Sequence, residues 1–218
     1  LLDIDSLRPL VLLHAGLGSI ALLAGVVAAF APKRAGLHTR AGAAFATLML
    51  LALASVSLPI LARRNVFMIG LGTVAFYSIV EGWRGLWRFR GTLPPEPLAI
   101  DKLAAALTAA ASIGLGAYGA NGLATVGDPM YAVCLAFTAL GLVLVGLAWK
   151  RWRAPPARSV WLSVHIGHMA GALGAATTAA LVINLDGALG GASWLMWVGP
   201  TVGSTVWGQF EIRRRGLG

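Results

Sequence analysis

Six side chains in this sequence have the type and spacing to do chemistry: Glu81, Arg84, His165, His168, His38 and His14. His165 and His168 stand three residues apart, which on a helix puts them on one face. Glu81 and Arg84 share that spacing and can pair with each other. A neutral imidazole is an axial ligand for haem or another tetrapyrrole. It is also a metal ligand and, titrating near neutrality, a proton carrier.

Three chemistries follow. In the first, His165, His168, His14 and His38 are candidate cofactor-binding residues for a haem or other tetrapyrrole, with Gly-rich helices leaving room for a flat ring. This is loosely similar to the two-haem cytochrome b membrane family, but two histidine pairs at matched depths are lacking. In the second, His165, His168 and Glu81 supply nitrogen and oxygen to a metal. No H-E-x-x-H motif stands in the sequence, and a third sure ligand is missing. In the third, Glu and His pass protons along a solute path, as in a proton-coupled small-solute transporter. Each residue also has a plainer role. Glu81 and Arg84 can neutralise one another, His165 and His14 can hydrogen-bond a neighbouring helix or polar group, and His38 beside Arg40 reads as a surface residue. His168, on the same face as His165 and deeper, is the hardest to explain by packing alone.

The elements that hold these residues are apolar. Of 218 residues, 58% are hydrophobic and 11% charged, and the mean hydropathy is +0.79. A soluble domain carries about 25% charged residues, so this surface is built to face lipid. The net charge of +9 does not point to nucleic acid, because the basic residues fall in short clusters between apolar runs. Cys134 is the single cysteine, which excludes an intramolecular disulfide and a cysteine-based metal centre. Seven apolar runs are expected at 9–31, 41–62, 65–87, 101–122, 129–149, 159–184 and 189–210. Each is near the ~20 residues that cross the hydrocarbon layer, and each must be a helix to satisfy its own backbone. The expected fold is therefore all-α: one polytopic transmembrane bundle over residues 1–218. The turns carry Pro32 to Gly36, Arg63-Arg64-Asn65, Pro94 to Pro97, Asp128-Pro129, Pro155-Pro156 and Asn184 to Gly187.

Charge sets the expected orientation. With the N-terminus outside and seven spans, 14 of the 17 Lys and Arg residues fall on the cytoplasmic side, and only Arg8, Arg63 and Arg64 fall outside. The C-terminus is then cytoplasmic. Trp83, Trp87, Trp149, Trp152 and Trp161 gather at the inner interface, and Trp194 marks the outer one. On this reading Glu81 and His165 lie at similar depth, each about six residues or roughly 9 Å from the inner end of its span. Glu81, Arg84, His165 and His168 then form a polar inner-leaflet cluster, with His38 near it and His14 across the membrane. Gly114 and Gly116 are expected to face a neighbouring helix.

Several stretches occur in a shared order: His14-x-x-x-Gly18, Leu37-His-Thr-Arg-Ala-Gly42 and Phe76-Tyr-Ser-Ile-Val-Glu-Gly-Trp-Arg84, then His165-Ile-Gly-His-Met, Val182-Ile-Asn184 and Trp197-Val-Gly-Pro-Thr201. Together they resemble a family of predicted bacterial multi-span membrane proteins known only as a domain of unknown function. The sixth run departs from that pattern, reading Ala172-Leu-Gly174 where the family is bulkier and aromatic. The resemblance implies a multi-pass protein of the bacterial cytoplasmic (inner) membrane and supplies no activity. With loops this short, the expected role is a non-enzymatic accessory subunit of a redox or energy-converting membrane complex. Its partners are then the lipid bilayer and that complex, with no nucleic acid. A haem-binding electron-transfer protein is the alternative. A covalent retinal site is not expected, since the last span holds no lysine.

Overall fold

The computed structural model describes residues 5–63, 65–128, 131–185 and 194–217. Among them the chain is helical throughout. A short 3-10 turn, Asp5–Leu7, leads into α1 (Arg8–Phe30), α2 (Leu37–Ala62), α3 (Val66–Arg90), α4 (Ala99–Thr125), α5 (Tyr131–Arg153), α6 (Arg158–Leu185) and α7 (Trp194–Arg214). Six of these, α1 to α6, are long and apolar enough to cross a membrane. The described part of α7 is not among them, because Gln209, Glu211 and several Gly, Ser and Thr residues dilute its apolar ones. Arg64, Pro129, Asp3, Asp186 and the expected start of the last span at 189 lie outside the described residues.

Helix ends differ from the apolar runs for local reasons. Gly36, at φ +116°, turns the chain so that α2 begins at Leu37, four residues before the expected 41, and takes His38 and Arg40 into its first turn. The third helix runs past 87 to Arg90, and the fifth past 149 to Arg153. Both last turns are basic and so complement the helix dipole. Gly91, at φ +76°, closes α3: its N–H reaches the Arg88 carbonyl and Thr92 N–H reaches that of Trp87, a Schellman pairing. Asn65 starts α3 by accepting the Met68 N–H at 3.0 Å.

The chain divides into two compact units, Leu1–Ile69 and Gly70–Gly218. In the first, α1 buries Ala21, Gly25 and Ala28, and α2 buries Phe45, Ala46, Met49 and Ala52. Outward-facing Leu12, Leu23 and Phe30 are exposed, as a lipid-facing surface requires.

In the second unit small residues set the helix spacing. Along the α4–α5 contact, a Cβ added to Gly116 would stand 2.9 Å from Thr138 Cγ2, one on Gly119 2.7 Å from Cys134 Cβ, and one on Gly122 2.1 Å from the Tyr131 ring. Gly174 and Gly208 meet Ser204 and Ala170 between α6 and α7, where the Thr178 and Thr201 hydroxyls lie 3.3 Å apart. Gly82 and Gly85 bring α3 against α6, meeting His168 and Met169, and the Trp161 carbonyl and Val164. Close backbone approach through small residues is how helices gain packing energy where lipid removes the hydrophobic drive.

Gly114 departs from its expected role. No atom lies within 4 Å of a Cβ built there, whereas Gly116 abuts Thr138. Residues two apart on a helix point to nearly opposite sides, so the two glycines cannot both face α5. Gly116→Leu is expected to cost about 1–3 kcal/mol by overpacking. Gly114→Leu should leave thermal unfolding in detergent essentially unchanged. Equal melting of both variants would show that the α4–α5 contact is not as close as described.

Candidate functional site

On α3, Tyr77, Glu81, Arg84 and Arg88 recur at spacings of four, three and four, which is one helix face. All four are buried. Such polar burial within an apolar bundle requires partners, and the neighbouring helices supply them.

Asp101, the third residue of α4, is the main acceptor. Arg84 Nε donates to Asp101 Oδ1 and Arg84 Nη2 to Oδ2, the latter at 2.8 Å. Arg88 Nη2 and the Leu98 backbone N–H also donate to Oδ2, each at 2.8 Å. The Asp101 side chain is wholly buried. Arg88 spends further donors on the chain between α3 and α4: its Nε reaches the Pro94 carbonyl at 3.1 Å. Its guanidinium carbon stands 4.8 Å from the Trp161 ring centroid on α6.

Glu81 takes a different partner. Arg151 Nη2 of α5 donates to Glu81 Oε1 at 2.9 Å. The expected Glu81–Arg84 pair is therefore replaced by two longer-range ones, because the buried Asp101 carboxylate engages Arg84 in two hydrogen bonds and Arg151 reaches Glu81 from another helix. Glu211 on α7 is held within its own helix end, by Arg214 at 3.0 Å and Arg215 at 3.4 Å.

The histidines separate into two kinds. His165 Nδ1 donates to the Gly82 carbonyl at 2.8 Å, tying α6 to α3. In the first unit, His14 Nδ1 donates to the Ala52 carbonyl and His38 Nδ1 to the Ala28 carbonyl, both at 2.9 Å. A carbonyl oxygen only accepts, so in all three the proton sits on Nδ1. His168 is buried but its Nδ1 has no hydrogen-bond partner. Its ring packs edge-on to Tyr77, centroids 5.9 Å apart. The Tyr77 hydroxyl is likewise buried without a partner, as are Arg151 Nε and Trp152 Nε1.

The structure thus brings His165 and His168 against α3, at Gly82 and Tyr77, while Glu81 turns to Arg151 of α5 and Arg84 to Asp101 of α4. His14 and His38 belong to the first unit, on α1 and α2. Among the described residues no three His, Cys, Asp or Glu side chains gather as metal ligands. Asp101, Arg88, Arg151 and Tyr77 were not singled out from the sequence. The helical repeat from Tyr77 to Arg88 signals the first part of this face. Asp101 carries its own signal, three residues after the helix-capping position Leu98, where a carboxylate commonly turns back on the backbone. Nothing in the sequence marks Arg151, which stands among other cations at the end of α5.

Comparison of the chain with known family models, characterised proteins and solved structures gives no match.

Replacing Asp101 with Asn would leave two buried guanidiniums sharing a neutral amide. Breaking a buried pair from one side costs about 3–5 kcal/mol. Asp101→Asn should therefore melt well below the parent protein in detergent. Removing the cations too, in an Asp101→Asn, Arg84→Gln, Arg88→Gln triple variant, should recover part of that loss. A triple variant no more stable than Asp101→Asn would show that the network does not act as one unit.

Proposed function

We propose that this chain is a seven-span integral protein of the bacterial cytoplasmic membrane, with its N-terminus outside and its C-terminus inside, serving as a non-enzymatic accessory subunit of a redox or energy-converting membrane complex. The observation that carries the reading is how the buried charges are used. Glu81 on α3 and Asp101 on α4 are engaged by Arg151, Arg84 and Arg88 from within the same unit. Carboxylates held by arginines of neighbouring helices fix those helices in place; a transport path needs carboxylates that exchange partners. The connections between the helices are short, so none of them carries a catalytic domain.

The orientation rests on the division of cations. In a Cys134→Ala background, cysteine at 154 should be labelled only from the cytoplasm and cysteine at 126 only from outside. The reverse pattern would overturn the orientation, and labelling of both from one side would overturn the span count. For the accessory role, membranes solubilised in mild detergent should place the protein in a native-gel band that carries dye-reducing activity. Migration as a free protein would count against it.

A haem-binding electron carrier is the second reading. It is favoured by the Nδ1–carbonyl bonds of His14, His38 and His165, the arrangement that orients a ligating imidazole. It requires a Soret band, shifted by dithionite, in the purified protein; a colourless preparation from haem-replete cells would end it.

A further inference from the structure

Beyond its ion pairs, the second unit holds a group of buried polar atoms without a hydrogen-bond partner among the described residues. They are Tyr77 Oη on α3, Arg151 Nε and Trp152 Nε1 on α5, and His168 Nδ1 on α6. They belong to one neighbourhood. Tyr77 meets His168 edge-on at 5.9 Å, and Trp152 packs against the Tyr77 cluster. Arg151 pairs with Glu81, which stands one helical turn from Tyr77 on the same face of α3. Buried polar groups are almost always paired, and each left unpaired costs about 1–3 kcal/mol. Four in one place, from three helices, are too many to attribute to loose packing.

Their chemistry defines what would satisfy them. Arg151 Nε and Trp152 Nε1 can only donate, and a tyrosine hydroxyl donates readily. The missing partner must therefore present acceptor oxygens. Its charge is constrained as well: Glu81 already offsets Arg151, the cation beside these atoms, at 2.9 Å, and the surplus of Arg84 and Arg88 is turned toward Asp101, the Pro94 and Glu96 carbonyls and the Trp161 ring, so a neutral partner fits better than a phosphate or carboxylate. The surroundings are apolar, with Ala104, Ala105 and Ala148 buried beside Tyr77. One turn beyond His168, a Cβ on Gly171 would meet no atom within 4 Å, so the helix surface there is open. We propose that Tyr77, His168, Arg151 and Trp152 form a binding site for the carbonyl head of a neutral, lipid-soluble quinone-class compound. The proposal is one of binding only and does not depend on the accessory role.

The test uses the full chain, purified in detergent and titrated with a decyl-substituted benzoquinone by calorimetry. Decylbenzene, which has the same tail and no carbonyls, serves as control. Saturable binding of the quinone and none of the hydrocarbon is expected. Tyr77→Phe removes one hydroxyl and should weaken binding about fivefold, the value of one net hydrogen bond. His168→Phe should weaken it at least as much, and Tyr118→Phe, away from the site, should leave it unchanged. Melting curves of the variants matching the parent would show that the loss is not unfolding. No saturable binding, equal binding of the hydrocarbon, or full affinity in folded Tyr77→Phe and His168→Phe would each overturn the site.

Discussion

Asp101 accepts hydrogen bonds from Arg84, from Arg88 and from the backbone of Leu98, and much of the second unit is arranged around that one carboxylate. A single acid cannot neutralise two guanidiniums. The surplus is spread over weaker partners: the Pro94 and Glu96 carbonyls, and the face of Trp161. Each of these contacts constrains an element. The carbonyls fold the Pro-rich connection back over the ends of α3 and α4. The indole seats the start of α6. Arg84 and Arg88 stand one helical turn apart, so both reach the same acid only if α3 stays helical past Arg84, and the Schellman closure at Gly91 preserves that. In a low-dielectric setting a missing partner costs more than a present one contributes, so the network enforces one arrangement more than it adds stability.

The small-residue contacts and the ionic contacts are two parts of one constraint. Arg151 reaches Glu81 because α5 packs near α3, and α5 is positioned by the glycines that α4 lends it at 116, 119 and 122. Likewise His165 reaches the Gly82 carbonyl because Gly82 and Gly85 admit α6 so closely. A Cβ at Gly82 would stand 3.1 Å from His168 Cβ, so α6 would have to give by a few tenths of an ångström. Van der Waals packing sets the distances, and the directional bonds choose among the registers those distances allow.

What was legible in the sequence follows from the range of the forces involved. Apolar length is a local property, so α1 to α6 were foreseen as apolar helices and α7 as a helix, with ends displaced by a few residues where glycine or basic side chains set the cap. The polar face of α3 was legible in part, since Glu81 and Arg84 stood out and Tyr77 and Arg88 follow at helical spacing. Partner choice was not legible. The local Glu81–Arg84 pairing was the natural expectation, and it gave way to Arg84–Asp101 and Glu81–Arg151, pairs 17 and 70 residues apart. Nothing local distinguishes Arg151 from Lys150 or Arg153, because only the rotation of α5 about its axis decides which of them turns inward. The two glycines at 114 and 116 fail in the same manner: composition suggests contact, and helix geometry lets only one of them make it.

The contrast between His165 and His168 sharpens what a histidine pair on one face means. Shared facing gives both side chains the same neighbour, α3, but not the same partner. His165 meets Gly82, whose carbonyl stands clear because no side chain covers it, and the imidazole becomes a strut between helices. His168, one turn on, meets the ring of Tyr77, which offers an edge and no acceptor to Nδ1. The residues of α3, rather than the spacing on α6, therefore decide that the Nδ1 of one histidine finds a carbonyl while that of the other keeps an unmet hydrogen-bonding capacity inside the bundle.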